Sequence, residues 1–128
     1  MAKFLSQEWL ADLTETLNSH DGFTDAIKNV DLSLQFEVSD APDDAEDTYS
    51  IVIAEGRADA TAGPLDDPDV TIANDYETAV AISKGELNTQ MAFMTGKLKV
   101  SGNMAKLMMN QAMLGQFTAA ASDMDVEY

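Results

Sequence analysis

The sequence predicts an α+β domain, and three observations carry that reading. The apolar period is 3.6 near the start, becomes 2 over residues 31–73, and returns to 3.6 in the C-terminal half. The first strands follow one another at hairpin spacing, so they are expected to pair antiparallel, with the helices gathered on one face. Helices and strands do not alternate, which excludes the doubly wound nucleotide-binding plan. A length of 128 residues suits a single domain over 1–128, with its core at about 7–117 and a polar tail at 118–128.

Residues 6–19 form the first helix: Ser6 is a suitable N-cap, Glu8 suits the positive end of the dipole, and Trp9, Leu10, Leu13 and Leu17 make one stripe. Asn18 to Gly22 stop it, and residues 24–29 give a short second helix. Leu32, Leu34, Phe36 and Val38 alternate with polar residues in a half-buried strand. A polar turn, Ser39 to Asp47, leads to a second strand carrying Tyr49, Ile51 and Ile53. Arg57 to Ala62 and Asp69 to Ala73 supply the third and fourth strands. Asn74 or Asp75 caps a helix to about Ser83, and Asn88 caps a shorter one through Met94. Lys97 to Val100 is the fifth strand, and a last helix runs from Met104 to Phe117 or Ala120. The sheet is therefore five-stranded and mostly antiparallel, covered by helices.

Composition excludes several functions. With 23 acidic against 7 basic residues the net charge is −16, which opposes binding to nucleic acid or anionic lipid surfaces. No apolar run is long enough to span a membrane, and the N-terminus lacks a secretory apolar region, so the expected location is the cytoplasm. There is no cysteine, hence no disulfide, thiol nucleophile or cysteine metal site. Such acidity repels itself unless screened, so the chain is read as adapted to a salt-loaded, halophilic (haloarchaeal-type) cytoplasm. Steering of a basic partner is the competing explanation.

Chemistry-bearing motifs are absent. The single histidine, His20, lies in a predicted loop as a surface or capping residue, and no serine has a nucleophile elbow around it. No phosphate-cradling glycine motif occurs. Asp40, Asp43, Asp44, Glu46 and Asp47 lack calcium-loop spacing and read as a solvated turn. The expectation is no catalytic residue, no metal, no cofactor and no enzyme activity borne by the protein itself.

The informative feature is apolar. Seven of the eight methionines lie beyond residue 90: Met91, Met94, Met104, Met108, Met109, Met113 and Met124. On the last helix Met104, Leu107, Met108 and Leu114 form one face, and Met109, Ala112, Met113 and Phe117 widen it well beyond a one-sided stripe of ~100°. Such a helix buries two faces, as a core element, a partner interface, or a wall with an apolar ligand behind it. Lys97, Lys99 and Lys106, three of the seven basic residues, lie beside it. They are either solubilising lysines or charges that meet a lipid headgroup.

The stretch AFMTGKLKVSGNMAKLMM, Ala92 to Met109, with DVTI at 69–72 and KGELN at 84–88, resembles the sterol carrier protein 2 domain family. The order of elements agrees from about Gln7 to Phe117. The resemblance implies a five-stranded sheet enclosing an apolar cavity for a fatty acid, acyl-CoA, isoprenoid or sterol-like molecule. It implies that Met104, Leu107 and Met108 line the cavity, with Met91 and Met94 nearby and Leu114 and Phe117 beyond. The expected function is a non-enzymatic lipid carrier. Its partner is an apolar lipid, without stable membrane insertion. The alternative is an interaction module whose methionine helix packs on a second copy or on a lipid-metabolising enzyme.

Overall fold

The computed structural model describes residues 2–43, 45–87, 89–124 and 126–127. In chain order the elements are β1 (Ala2–Lys3), α1 (Gln7–Ser19), α2 (Asp21–Ala26), β2 (Leu32–Ser39), β3 (Thr48–Ala54), β4 (Arg57–Ala62) and β5 (Val70–Asp75). There follow α3 (Tyr76–Ser83), α4 (Thr89–Met94), β6 (Lys99–Gly102), α5 (Met104–Met109), α6 (Gln111–Ser122) and β7 (Val126–Glu127).

The five long strands form one sheet in the order β4-β3-β2-β5-β6. Its pairs are antiparallel except β2 with β5, where Leu34 faces Val70 and Phe36 faces Ile72. That parallel pair requires a crossover, which β3 and β4 supply by folding back as a meander on the far side of β2. The inward phase carries Leu32, Leu34 and Val38 of β2, Ile51 and Ile53 of β3, and Val70 and Ile72 of β5, all buried. These residues are the alternate positions that the period-2 pattern marks.

Local capping agrees with the sequence. The Ser6 hydroxyl accepts from the Trp9 N–H at 3.1 Å, and Asp75 accepts from the Thr78 N–H at 2.8 Å. His20 Nδ1 accepts from the Phe23 N–H at 3.1 Å, so this histidine caps α2, which starts three residues earlier than its periodicity suggests. The proposed Asn88 cap lies outside the described residues.

Three expectations are corrected. The last helix is two helices: Asn110 leaves helical geometry at φ −115° and ψ 32°, and its side-chain amide donates to the Lys106 carbonyl at 2.7 Å. A side chain that bonds nearby backbone in this way competes with helix continuation. The tail at 118–128 is not a free polar segment, because α6 continues to Ser122 and Val126–Glu127 pair in parallel with Ala2–Lys3. The core also exceeds 7–117: Phe4, Leu5, Ala120 and Ala121 are buried in the same apolar cluster. Leu5 is fully buried at φ 63°, a conformation unusual for a non-glycine residue, and its carbonyl accepts from the Glu46 N–H.

Strand β4 lies at a sheet edge, and α1 closes it with side chains. Asn18 Nδ2 donates to the Ala58 carbonyl at 2.8 Å while its Oδ1 accepts from the Ala58 N–H at 3.0 Å. One turn back, Thr14 Oγ1 accepts from the Ala60 N–H at 2.9 Å. Helix side chains thus take the place of a sixth strand, which blunts an edge otherwise open to pairing with another chain. Asn18→Ala is expected to cost about 1–3 kcal/mol, the penalty for buried groups left without partners. The urea midpoint should fall and the Ala58 amide should exchange faster; an unchanged midpoint would refute this role.

Candidate functional site

Helices α1, α3 and α6 lie over the inward face of the sheet, and between them and the strands is an apolar pocket of about 50 Å³. Its floor is Leu34, Phe36, Tyr49 and Ile72 from β2, β3 and β5. Trp9 of α1, Ala79, Ile82 and Ser83 of α3, and Phe117 and Ala121 of α6 form the opposite wall. Phe4, Asn74 and Leu98 complete it.

A continuous run of rings frames this space. Phe4 meets Trp9 edge-on at 5.0 Å, and Trp9 meets Tyr49 at 5.4 Å. Tyr49 stacks on Phe36 at 4.8 Å, Phe36 on Phe117 at 6.2 Å, and Phe117 leans on Phe23 at 6.5 Å. Burial pushes the Tyr49 phenol well above its usual pKa, so it stays neutral. The Trp9 indole Nε1 is buried, with no acceptor among the described residues.

The sequence-nominated residues divide sharply. Phe117 lines the pocket, and Leu107 is buried in the core. Met104 is half-buried on α5, while Met91, Met94 and Met108 are 54%, 73% and 53% exposed. The Leu114 side chain lies outside the described residues. The lysines are also separated. Lys97 and Lys99 line an open groove with Glu37, Asp47, Asp75 and Glu77. Asp75 is held below the ordinary carboxylate range, first by its hydrogen bonds with Thr78 and further by the Lys97 charge. Lys106 Nζ lies 2.9 Å from Asp69 Oδ2. Among the described residues, the acidic turn included, no three His, Cys, Asp or Glu side chains converge to hold a metal ion, and Asp44 lies outside them.

Trp9, Phe36, Tyr49 and Ile72 escaped nomination because each has the pattern of ordinary core. The available signal was the coincidence of ring residues on the inward phase of neighbouring strands. Strand pairing, which sequence spacing leaves open, turns that coincidence into a pocket wall.

Two comparisons with known proteins bear on this architecture. The first concerns class: an α+β sheet with helices on its apolar face and one parallel pair matches solved sterol carrier folds. The crystal structure of sterol carrier protein 2 is similar at TM-score 0.80 and 21% identity, covering 96% of this chain and 100% of that one. Palmitated SCP2L2 from Aedes aegypti is similar at TM-score 0.60 and 22% identity, covering 84% of this chain and 91% of that one. The second concerns sequence: the model of the SCP-2 sterol transfer family matches residues 12–115, and the chain belongs to that family. Sterol carrier protein 2 of Gallus gallus is 31% identical over 82 residues, 64% of this chain and 15% of that protein. The chain thus spans about 15% of the length of the first curated relatives it matches. Among the described residues, no helix is long and apolar enough to cross a membrane.

One polar node fixes the approach to the methionine-bearing helix. Asp69 Oδ2 accepts from the Ser33 N–H at 3.0 Å and from Lys106, while the Asp69 carbonyl accepts from the Asn103 N–H, the N-cap of α5, at 2.8 Å. Gly102 passes so close, at φ 104°, that a Cβ would collide with the Asp69 carbonyl. The hydrogen bond from Lys106, then that from Ser33, holds the Asp69 carboxyl below its ordinary pKa. A lowered folded-state pKa means stability present above the unfolded value, about 3.9, and lost as pH falls through the folded one. Asp69→Asn should therefore destabilise by up to ~1 kcal/mol at pH 7, the difference shrinking below about pH 4. A pH-independent difference in urea stability would refute the linkage.

Proposed function

We propose that this chain is a non-enzymatic, cytoplasmic lipid carrier that holds one long apolar chain between the sheet and helices α1, α3 and α6. The observation that carries this reading is a pocket framed mostly by rings and aliphatic side chains, with Asn74 and Ser83 its polar members and no Asp, Glu, Lys, Arg or His among the described residues that line it. Membership of a sterol-transfer family supports a lipid-carrying role in general. The present space is far below the ~300–1,000 Å³ of typical ligand pockets, so a ligand enters by parting the walls. Burying ten methylenes gains roughly 8 kcal/mol gross. Wall opening and lost freedom reduce that, leaving reversible binding suited to a carrier. Lipid binding by Met91, Met94, Met104, Leu107 and Met108 is proposed for this opened state, in which α4 and α5 border the entrance. Lys97 and Lys99, in the neighbouring groove, are proposed to meet a headgroup that stays outside the pocket, whereas Lys106 is engaged by Asp69. Adaptation to concentrated salt is part of the proposal and rests on the net charge of −16.

A second reading rests on a specific observation. Phe93 and Met109, at 37% and 85% exposed, add to the exposed methionines of α4 and α5 and suit an interface with a second copy or an enzyme. The two readings separate experimentally. Native mass spectrometry with organic extraction, on protein purified in concentrated KCl, should find stoichiometric lipid that added acyl chains displace. Ala121→Trp fills the pocket and should lower occupancy at least ~10-fold at a folding cost of about 1–3 kcal/mol. Unchanged occupancy in that folded variant would overturn the carrier reading. A dimer that Met109→Asp converts to a folded monomer, with lipid uptake unaltered, would establish the interface instead.

A further inference from the structure

Two features of the pocket wall bear on the oxygen atoms of a ligand. Trp9 is 2% exposed, lines the pocket, and carries a buried indole N–H without an acceptor among the described residues. A buried donor in this state is costly, and an incoming acceptor relieves the cost. Among the described residues the lining offers no cation, and the protein as a whole carries −16, so an ionised headgroup inside the pocket would lack a counter-charge.

We infer that the preferred occupant is a long-chain lipid with an uncharged acceptor oxygen (an ester, ketone or alcohol) that accepts the Trp9 indole N–H. Ionised fatty acids and plain hydrocarbons are then the poorer ligands. The first lacks a counter-charge in the pocket, and the second leaves the indole unsatisfied. This inference rests on the carrier reading and adds the chemical class of its ligand.

Trp9 is the one tryptophan in the sequence, so the protein has a single indole N–H resonance to follow. The probes are dodecane, methyl dodecanoate and dodecanoate at pH 8, titrated into ¹⁵N-labelled protein in concentrated KCl. Methyl dodecanoate should move the indole proton downfield, and dodecane should not. In Trp9→Phe the preference for ester over alkane, read as the ratio of the two affinities, should fall about 10-fold, the loss expected for one such hydrogen bond. The wild-type resonance decides the matter should Trp9→Phe fail to fold.

Several results would overturn the inference while leaving a carrier standing. One is ester binding with an unmoved indole proton. Another is dodecanoate binding as tightly as the ester at pH 8. A third is an upfield resonance indifferent to ester, which would mean that the N–H rests on the ring face of Phe4 or Tyr49. Failure of all three probes to bind would overturn the carrier reading as well.

Discussion

The run of rings from Phe4 through Trp9, Tyr49, Phe36 and Phe117 to Phe23 is the contact on which the rest of the fold depends. It joins the N-terminal segment, α1, the two central antiparallel strands, α6 and α2 in one apolar layer. Flat groups at edge and stacked angles fill a wide sheet-to-helix gap with few side chains. They also leave irregular space where ring edges meet aliphatic neighbours. The pocket lies in that space, so what holds the helices to the sheet also borders the candidate site.

Around this layer, a few polar contacts set the relative placement of elements. Thr14 and Asn18 tie α1 to the edge of β4, and Asp69 ties β2, β5 and the start of α5 together. Both sets satisfy backbone groups at strand edges and ends, where a sheet this small would otherwise leave them unpaired. The contrast with the surface is chemical. Exposed carboxylates repel one another and depend on screening, whereas these polar groups each have a short, directed partner. The exposed acidity therefore says little about the site.

The exposed methionines give the C-terminal half a different character. Helices α4 and α5 are six residues each, and their exposed apolar side chains are flexible thioethers that fit surfaces of more than one shape. Such helices make fewer packing contacts than α1, which places them at the less stable end of the fold.

Much of the architecture was legible in the sequence. The alternation from Leu32 to Val38 and the stripe of Trp9, Leu10, Leu13 and Leu17 fix element type and inward face, because both depend on local period. Ser6 and Asp75 announced their helices through caps that act within three residues. The helix break at Asn110 and the pairing of Val126 with Ala2 were not legible, since one turns on a local competition and the other on two distant short segments. The site was read through its methionines, yet the pocket wall came from aromatic and aliphatic residues that look like ordinary core. By itself, the sequence determined the order of the five sheet strands and of the helices before Asn103, the buried phases, the acidity and the family, since each is written in local spacing or in a contiguous motif. Tertiary structure alone decided that β2 pairs parallel with β5, that Lys106 belongs to Asp69, and that Trp9 packs edge-on against Tyr49 beside the pocket. Each of these joins residues tens of positions apart, and the long-range pairing that does so leaves no periodic trace along the chain.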